Sequence, residues 1–171
     1  TIVTEHVLHS GEFEAIGKVI SIQPLLALRE RYLVAQAELT GAKSRLKQAG
    51  QSLKRQQALF DQGITARRSL QEQEASGTED KAKVDAGAVR LNAIANEARL
   101  LWGDELSKWA LSENTARFKD ILSGKQQLLQ VTLPASKLLA DQINRIEIEP
   151  NGQRSKAFSA VLISRSTQVD S

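Results

Sequence analysis

Cysteine and methionine are absent, proline occurs three times, and aromatic residues make up 4% of the 171-residue chain. Without thiols there are no disulfides and no thiolate metal sites. Scarce aromatics remove the stacking platforms of a single-strand nucleic-acid groove, and the basic residues do not supply its clustered charge either. Although the pI is about 9.3, lysines and arginines alternate with acids and the net charge is only +3. No apolar run approaches the roughly 18 residues a membrane-spanning helix needs. Gly-rich phosphate loops and Ser elbows are missing as well, so the chain reads as non-enzymatic, with no cofactor. The two histidines, His6 and His9, fall on opposite faces of a strand, which makes them weak metal candidates and, by default, ordinary exposed side chains. No signal peptide is recognisable and the chain opens at Thr1 without an initiating Met, so it reads as a processed or trimmed piece of a longer protein.

What is present is a seven-residue apolar repeat. Leu25, Tyr32, Leu39, Leu46, Leu53 and Phe60 fall seven apart, with Leu28, Ala35, Ala42, Ala49 and Gln56 as the companion series. Alternating steps of three and four belong to a helix whose narrow seam packs on a partner, not to a strand with a period of two. A second stretch offers Leu70, Val84, Leu91 and Ala98, accompanied by Ala88, Ala95 and Trp102, with Ile94 and Leu101 also turned toward the partner. The break at 61–65 is so short that the helices must fold back side by side. The seam is therefore predicted to run through Leu39, Leu46, Leu53, Phe60, Leu70, Val84 and Leu91. Centring the fold-back on the break sets Gly50 opposite Gly77, either as a close approach or as two tolerated glycines. Residues 75–80 are poor in seam residues, with Glu74 and Lys81 at inward positions, so the distal hairpin is predicted to be its weaker part. At the tip, Gly63 suits a left-handed helix cap and Thr65 an N-cap.

The flanking segments have a different period. Residues 1–23 read as extended, with runs at 2–8 and 13–22, and Pro24 suits a helix's first turn. Gly103 is expected to end the second helix, followed by short amphipathic helices at 104–111 and 115–122. Leu106, Trp109 and Leu111, then Phe118, Ile121 and Leu122, form their apolar faces, with Ser112 and Asn114 as caps and Gly124 as a stop. Both tryptophans are expected to anchor the hairpin base on a β body. Strands follow at 128–133, 143–148 and 157–163, with Asn151-Gly152 as a tight turn. The fold class is thus α+β: a long antiparallel coiled-coil hairpin inserted in a small antiparallel β-barrel-like domain. Its parts are base strands at 1–23, the hairpin at 24–103, short helices at 104–125 and a barrel-like domain at 126–171.

The run Leu-Phe-Asp-Gln-Gly-Ile-Thr-Ala-Arg-Arg-Ser-Leu at 59–70 resembles the hairpin tip of periplasmic adaptor proteins, the membrane fusion proteins of tripartite efflux pumps. In that family an Arg and a Leu on the first helix and a Ser after the turn dock on an outer-membrane channel. Here Arg55 and Leu59 keep the Arg-x-x-x-Leu spacing and Thr65 stands in the hydroxyl position, in a loop one residue shorter. Leu-Leu-Gln-Val-Thr-Leu-Pro-Ala-Ser at 128–136 and Ala-Val-Leu-Ile-Ser-Arg-Ser-Thr-Gln-Val-Asp at 160–170 resemble strands of the family's barrel. The Ala-Pro-x-x-Gly-x-Val stretch of a lipoyl-like domain is missing, and the short helices stand in its place. The resemblance therefore implies a variant adaptor without that domain.

What the resemblance implies is a periplasmic bridge between an inner-membrane transporter of the resistance nodulation division type and an outer-membrane channel. The tip, with Arg55, Leu59, Gly63 and Thr65, would dock on the channel, and the chain would form a homo-oligomer in the pump, held at the inner membrane by segments outside this chain. The alternative reading is a coiled-coil scaffold or binding module unrelated to transport.

Overall fold

A computed structural model describes residues 15–112, 116–133, 145–150 and 154–164. The chain divides into two compact units, one on Ile22–Asp120 and one on the segment ending at Ser21 together with Ile121–Leu162. The expected strand at 2–8, the Asn114 cap, the Asn151-Gly152 turn, and His6 and His9 lie outside the described residues.

The helical unit is dominated by α1 (Gln23–Asp61) and α2 (Arg67–Trp102), which pack side by side as an antiparallel pair. Pro24 sits in the first turn of α1, where its missing N–H leaves no intrahelical bond unmade. With 39 residues at about 1.5 Å each, α1 is about 58 Å long. The α1 seam follows the three-four repeat: Leu25, Leu28, Ala35, Leu39, Ala42 and Ala49 are buried, and Tyr32, Leu46, Leu53, Gln56 and Phe60 are half-buried. The smaller companion series is thus the more enclosed one.

On α2, Leu70, Val84, Leu91 and Ala98 lie on the seam as expected, and their expected companions Ala88, Ala95 and Trp102 are half-buried beside it. A second series, seven residues apart, shares that side of the helix: Gln73, Asp80 and Gly87 are half-buried and Ile94 is buried. Glu74 and Lys81 are exposed rather than inward, and Leu101 also faces solvent. Inclusion of this series turns the centre of the buried face by roughly 50° from the expected one, which moves Glu74 and Lys81 to its edge. Hydrophobicity alone could not see it, because three of the four members of that series are polar or glycine.

The packed core lies toward the open end of the hairpin. Leu28, Ala35, Ile94 and Ala98 form a buried cluster, covered by Tyr32, Leu91, Trp102 and Leu111. Trp102 therefore packs on the hairpin's own core, and Trp109 lies under the guanidinium of Arg117, 5.1 Å from ring centroid to Cζ. Toward the tip the seam turns polar, with Gln56, Gln73, Gly77 and Asp80 half-buried, consistent with a weaker distal half. The paired glycines show no close approach: an added Cβ at Gly50 or Gly77 meets nothing within 4 Å. Of the helical glycines it is Gly87 that faces the partner closely: its added Cβ would lie 3.3 Å from Leu39 Cδ1.

Gly103, at φ +74°, ends α2 and begins α3 (Asp104–Leu111): its N–H donates to the Arg99 carbonyl and its carbonyl accepts from Ser107. Arg29 of α1 donates to the carbonyls of Ala110 and Ser112 at the C-terminal end of α3, and stacks 5.5 Å over the Phe118 ring of α4 (Ala116–Leu122). One cation thus caps exposed carbonyls and anchors two helices. Phe118 and Ile121 are buried, whereas Leu122, expected on the same face, is 47% exposed. Gly124, at φ +75°, closes α4 through its N–H to Ile121.

In the second unit, β1 (Ile16–Val19) pairs antiparallel with β2 (Leu129–Thr132), and β3 (Arg145–Ile148) pairs antiparallel with β4 (Phe158–Val161). Ile148 lies opposite Phe158, so the connection 149–157, with its 3-10 turn at Arg154–Lys156, is longer than a two-residue hairpin loop. These are separate two-stranded sheets rather than a closed barrel among the described residues. Alternation of apolar residues reveals a strand but not its partner.

Candidate interaction site at the hairpin tip

The turn is built by the end of α1. Gln62, Gly63 and Ile64 donate their N–H groups to the carbonyls of Ala58, Phe60 and Leu59, and Gly63 sits at φ +71°. This is the Schellman arrangement, in which a left-handed glycine lets two following N–H groups satisfy carbonyls the helix leaves open. In that motif the residue after the glycine and the third-from-last helical residue are commonly an apolar pair, and here those two are Ile64 and Leu59. Both remain substantially in solvent, Ile64 at 67% and Leu59 at 39% exposure.

Thr65 does not act as an N-cap. The N-cap of α2 is Ala66, with no side-chain bond. The Thr65 Oγ1 instead accepts from Gln56 Nε2 at 2.8 Å, half-buried, and so ties the loop to α1. Gln56 is the polar member of the seam repeat, and this bond is its use. Arg55, one turn below Leu59, donates to Ser52 Oγ at 2.9 Å and is exposed. The tip therefore gathers Leu59, Gly63 and Thr65 around one turn, with Arg55 a turn down the shaft.

Two further residues belong to this surface. Ile64 is the most exposed apolar side chain of the tip, and Arg67, at the start of α2, lines a shallow groove with Phe60, Leu70, Gln71 and Glu74. The helix-stop glycine, followed at once by an isoleucine, was the signal that could have found Ile64. Asp61 is held by Gln57 and Arg68 by Glu72, at 2.8 and 3.0 Å, whereas Arg67 has no ion-pair partner among the described residues. Leu59 and Ile64 thus form an apolar spot at the tip with Arg55 and Arg67 nearby on the two helices. Among the described residues no group of three His, Cys, Asp or Glu could hold a metal, and no helix is long and apolar enough to cross a membrane.

Replacing Gly63 by Ala forces a Cβ into the left-handed region, at about 1–2 kcal/mol. The expected outcome is faster amide hydrogen exchange over 56–65 with little change at the buried base cluster. An unchanged exchange pattern at the tip would show that the turn does not depend on that conformation.

Searched against known protein families, curated proteins and solved structures, the chain matches none of them.

Proposed function

We propose that the chain is the adaptor subunit of a tripartite export pump, working in the periplasm between an inner-membrane transporter and an outer-membrane channel. The observation that carries this reading is the tip: a long antiparallel helical pair that ends in a glycine-capped turn holding Leu59 and Ile64 in solvent. A water-soluble helical pair gains nothing from isolated apolar side chains at its far end, whereas a docking contact gains from burying them. The Arg-x-x-x-Leu spacing at Arg55 and Leu59, and the chain order of strand, hairpin, short helices and strands, agree with it.

In this reading the tip packs helix to helix on the channel's coiled coils, with Arg55 and Arg67 meeting acidic groups at the rim. The strands belong to a barrel-like body that seats on the transporter, several copies enclose the conduit, and no cofactor is involved. Leu59→Asp tests it in the full-length protein, in cells whose resistance to an exported compound depends on this gene. Export is expected to fall at least tenfold while the purified variant keeps its helical content and melting temperature. Undiminished export would remove the docking role and leave a coiled-coil scaffold.

A further inference from the structure

On one flank of the hairpin shaft two successive rungs are closed by ion pairs, and the next is not. At the residues flanking the seam, Arg31 meets Glu97 at 3.1 Å and Glu38 meets Arg90 at 2.7 Å, both between the two helices. Seven residues further toward the tip on each helix, the same positions hold Arg45 and Lys83, two cations. Flanking positions in a two-helix seam normally carry opposite charges, and like charges there repel by about as much as opposite ones attract. The structure shows the consequence. Lys83 turns back along its own helix to Glu79 and Asp80, at 2.7 and 3.8 Å. Its hydrogen bond, and then its charge, hold the exposed Glu79 carboxyl below the ordinary range. Arg45 has no ion-pair partner among the described residues. Between the two helices a groove of about 350 Å³ opens, lined by Glu38, Arg45, Lys83 and Arg90 and floored by Ala42, Ala86 and Gly87.

From this geometry we propose that the groove accepts a glutamate or aspartate carried by a helix of an acidic partner protein, lying along this flank of the shaft. The carboxylate completes the rung that Arg45 and Lys83 leave open, with the planar guanidinium of Arg45 as its main ligand. The floor names a helix rather than a small anion: Ala42, Ala86 and Gly87 carry no more than a methyl group, so a second helix can approach closely above them. This site is on the shaft and does not rest on the transport reading of the tip.

The test uses the whole chain and a labelled synthetic amphipathic helical peptide carrying Glu every seventh residue over an Ala/Leu face, with a Gln-for-Glu version as control. Fluorescence anisotropy is expected to show saturable binding of the Glu peptide and at least tenfold weaker binding of the Gln peptide. Amide shifts in the 15N spectrum are expected at Ala42, Arg45, Ala86 and Gly87. Arg45→Gln is expected to weaken binding tenfold at an unchanged melting temperature. Arg45→Glu closes the rung onto Lys83, so it is expected to raise the melting temperature and abolish binding together, a pairing that general damage to the fold does not produce. Equal binding of the two peptides, no binding, or shifts confined to the tip overturn the proposal. So does a concentration-dependent dimer of the chain alone that Arg45→Glu dissolves, since the occupant is then a second copy.

Discussion

Leu28→Ala and Ile94→Ala are each expected to lower the stability of the helical unit by about 2–5 kcal/mol, the range for emptying a well-packed aliphatic site. Both side chains are 4% exposed and share one cluster with Ala35 and Ala98. The buried companions Ala35 and Ala98 are too short to fill the space, and Tyr32, Leu91, Trp102 and Leu111 already pack against the cluster, so much of the cavity persists. Val89→Ala is the control: Val89 is 70% exposed, and its truncation is expected to stay within about 0.5 kcal/mol. Urea denaturation followed by helical circular dichroism checks all three. If Leu28→Ala and Ile94→Ala behave like Val89→Ala, the cluster is not the core of the hairpin. Because Leu28 and Ile94 touch the same cluster, their double mutant is expected to cost less than the two single changes added together.

The glycines are expected to split by sign. At Gly41, Gly50 and Gly77 a Cβ meets nothing within 4 Å, so an alanine there gains helix propensity of up to about 1 kcal/mol without a clash. The triple substitution is expected to stabilise the hairpin by about 2 kcal/mol. Gly87 differs. A Cβ there lies 3.3 Å from Leu39 Cδ1 and 3.6 Å from Leu39 Cβ, and Leu39 is itself buried. Gly87→Leu therefore wedges the helices apart, at about 1–3 kcal/mol from overpacking. Thermal melting decides between the two classes. A destabilised triple variant would place Gly50 and Gly77 at a crossing after all, and a neutral Gly87→Leu would mean that the helices do not meet at Leu39.

How much of this was legible in the chain differs from element to element. The α1 seam could be read directly because its seam positions are leucine, alanine or aromatic almost throughout, and the end of α1 was marked by the one residue that adopts a positive φ cheaply, Gly63. The boundaries of α3 and the stop at Gly124 were equally readable from glycine and helix-former patterns. The α2 face was not. Gln73, Asp80 and Gly87 face the partner because α1 is there, and no property of those residues announces it. Of the tip residues, Leu59 and Gly63 could be picked out. The pairing of Thr65 with Gln56 joins residues whose meeting depends on how the turn closes, and a hydroxyl before a helix looks like a cap until the helix is seen to start elsewhere.

The sequence by itself determined which segments are helix, where they stop, and that α1 and α2 must fold back on each other, since these follow from period, glycine position and a break too short for any other path. Only the tertiary structure decided the rotation of α2 about its axis, the mismatched rung at Arg45 and Lys83, and the pairing of β1 with β2 across the whole hairpin. The physical reason is common to all three. Local periodicity records what one segment prefers to bury, whereas rotation, rung pairing and strand partnership are properties of two segments at once and are settled by the free energy of the contact between them.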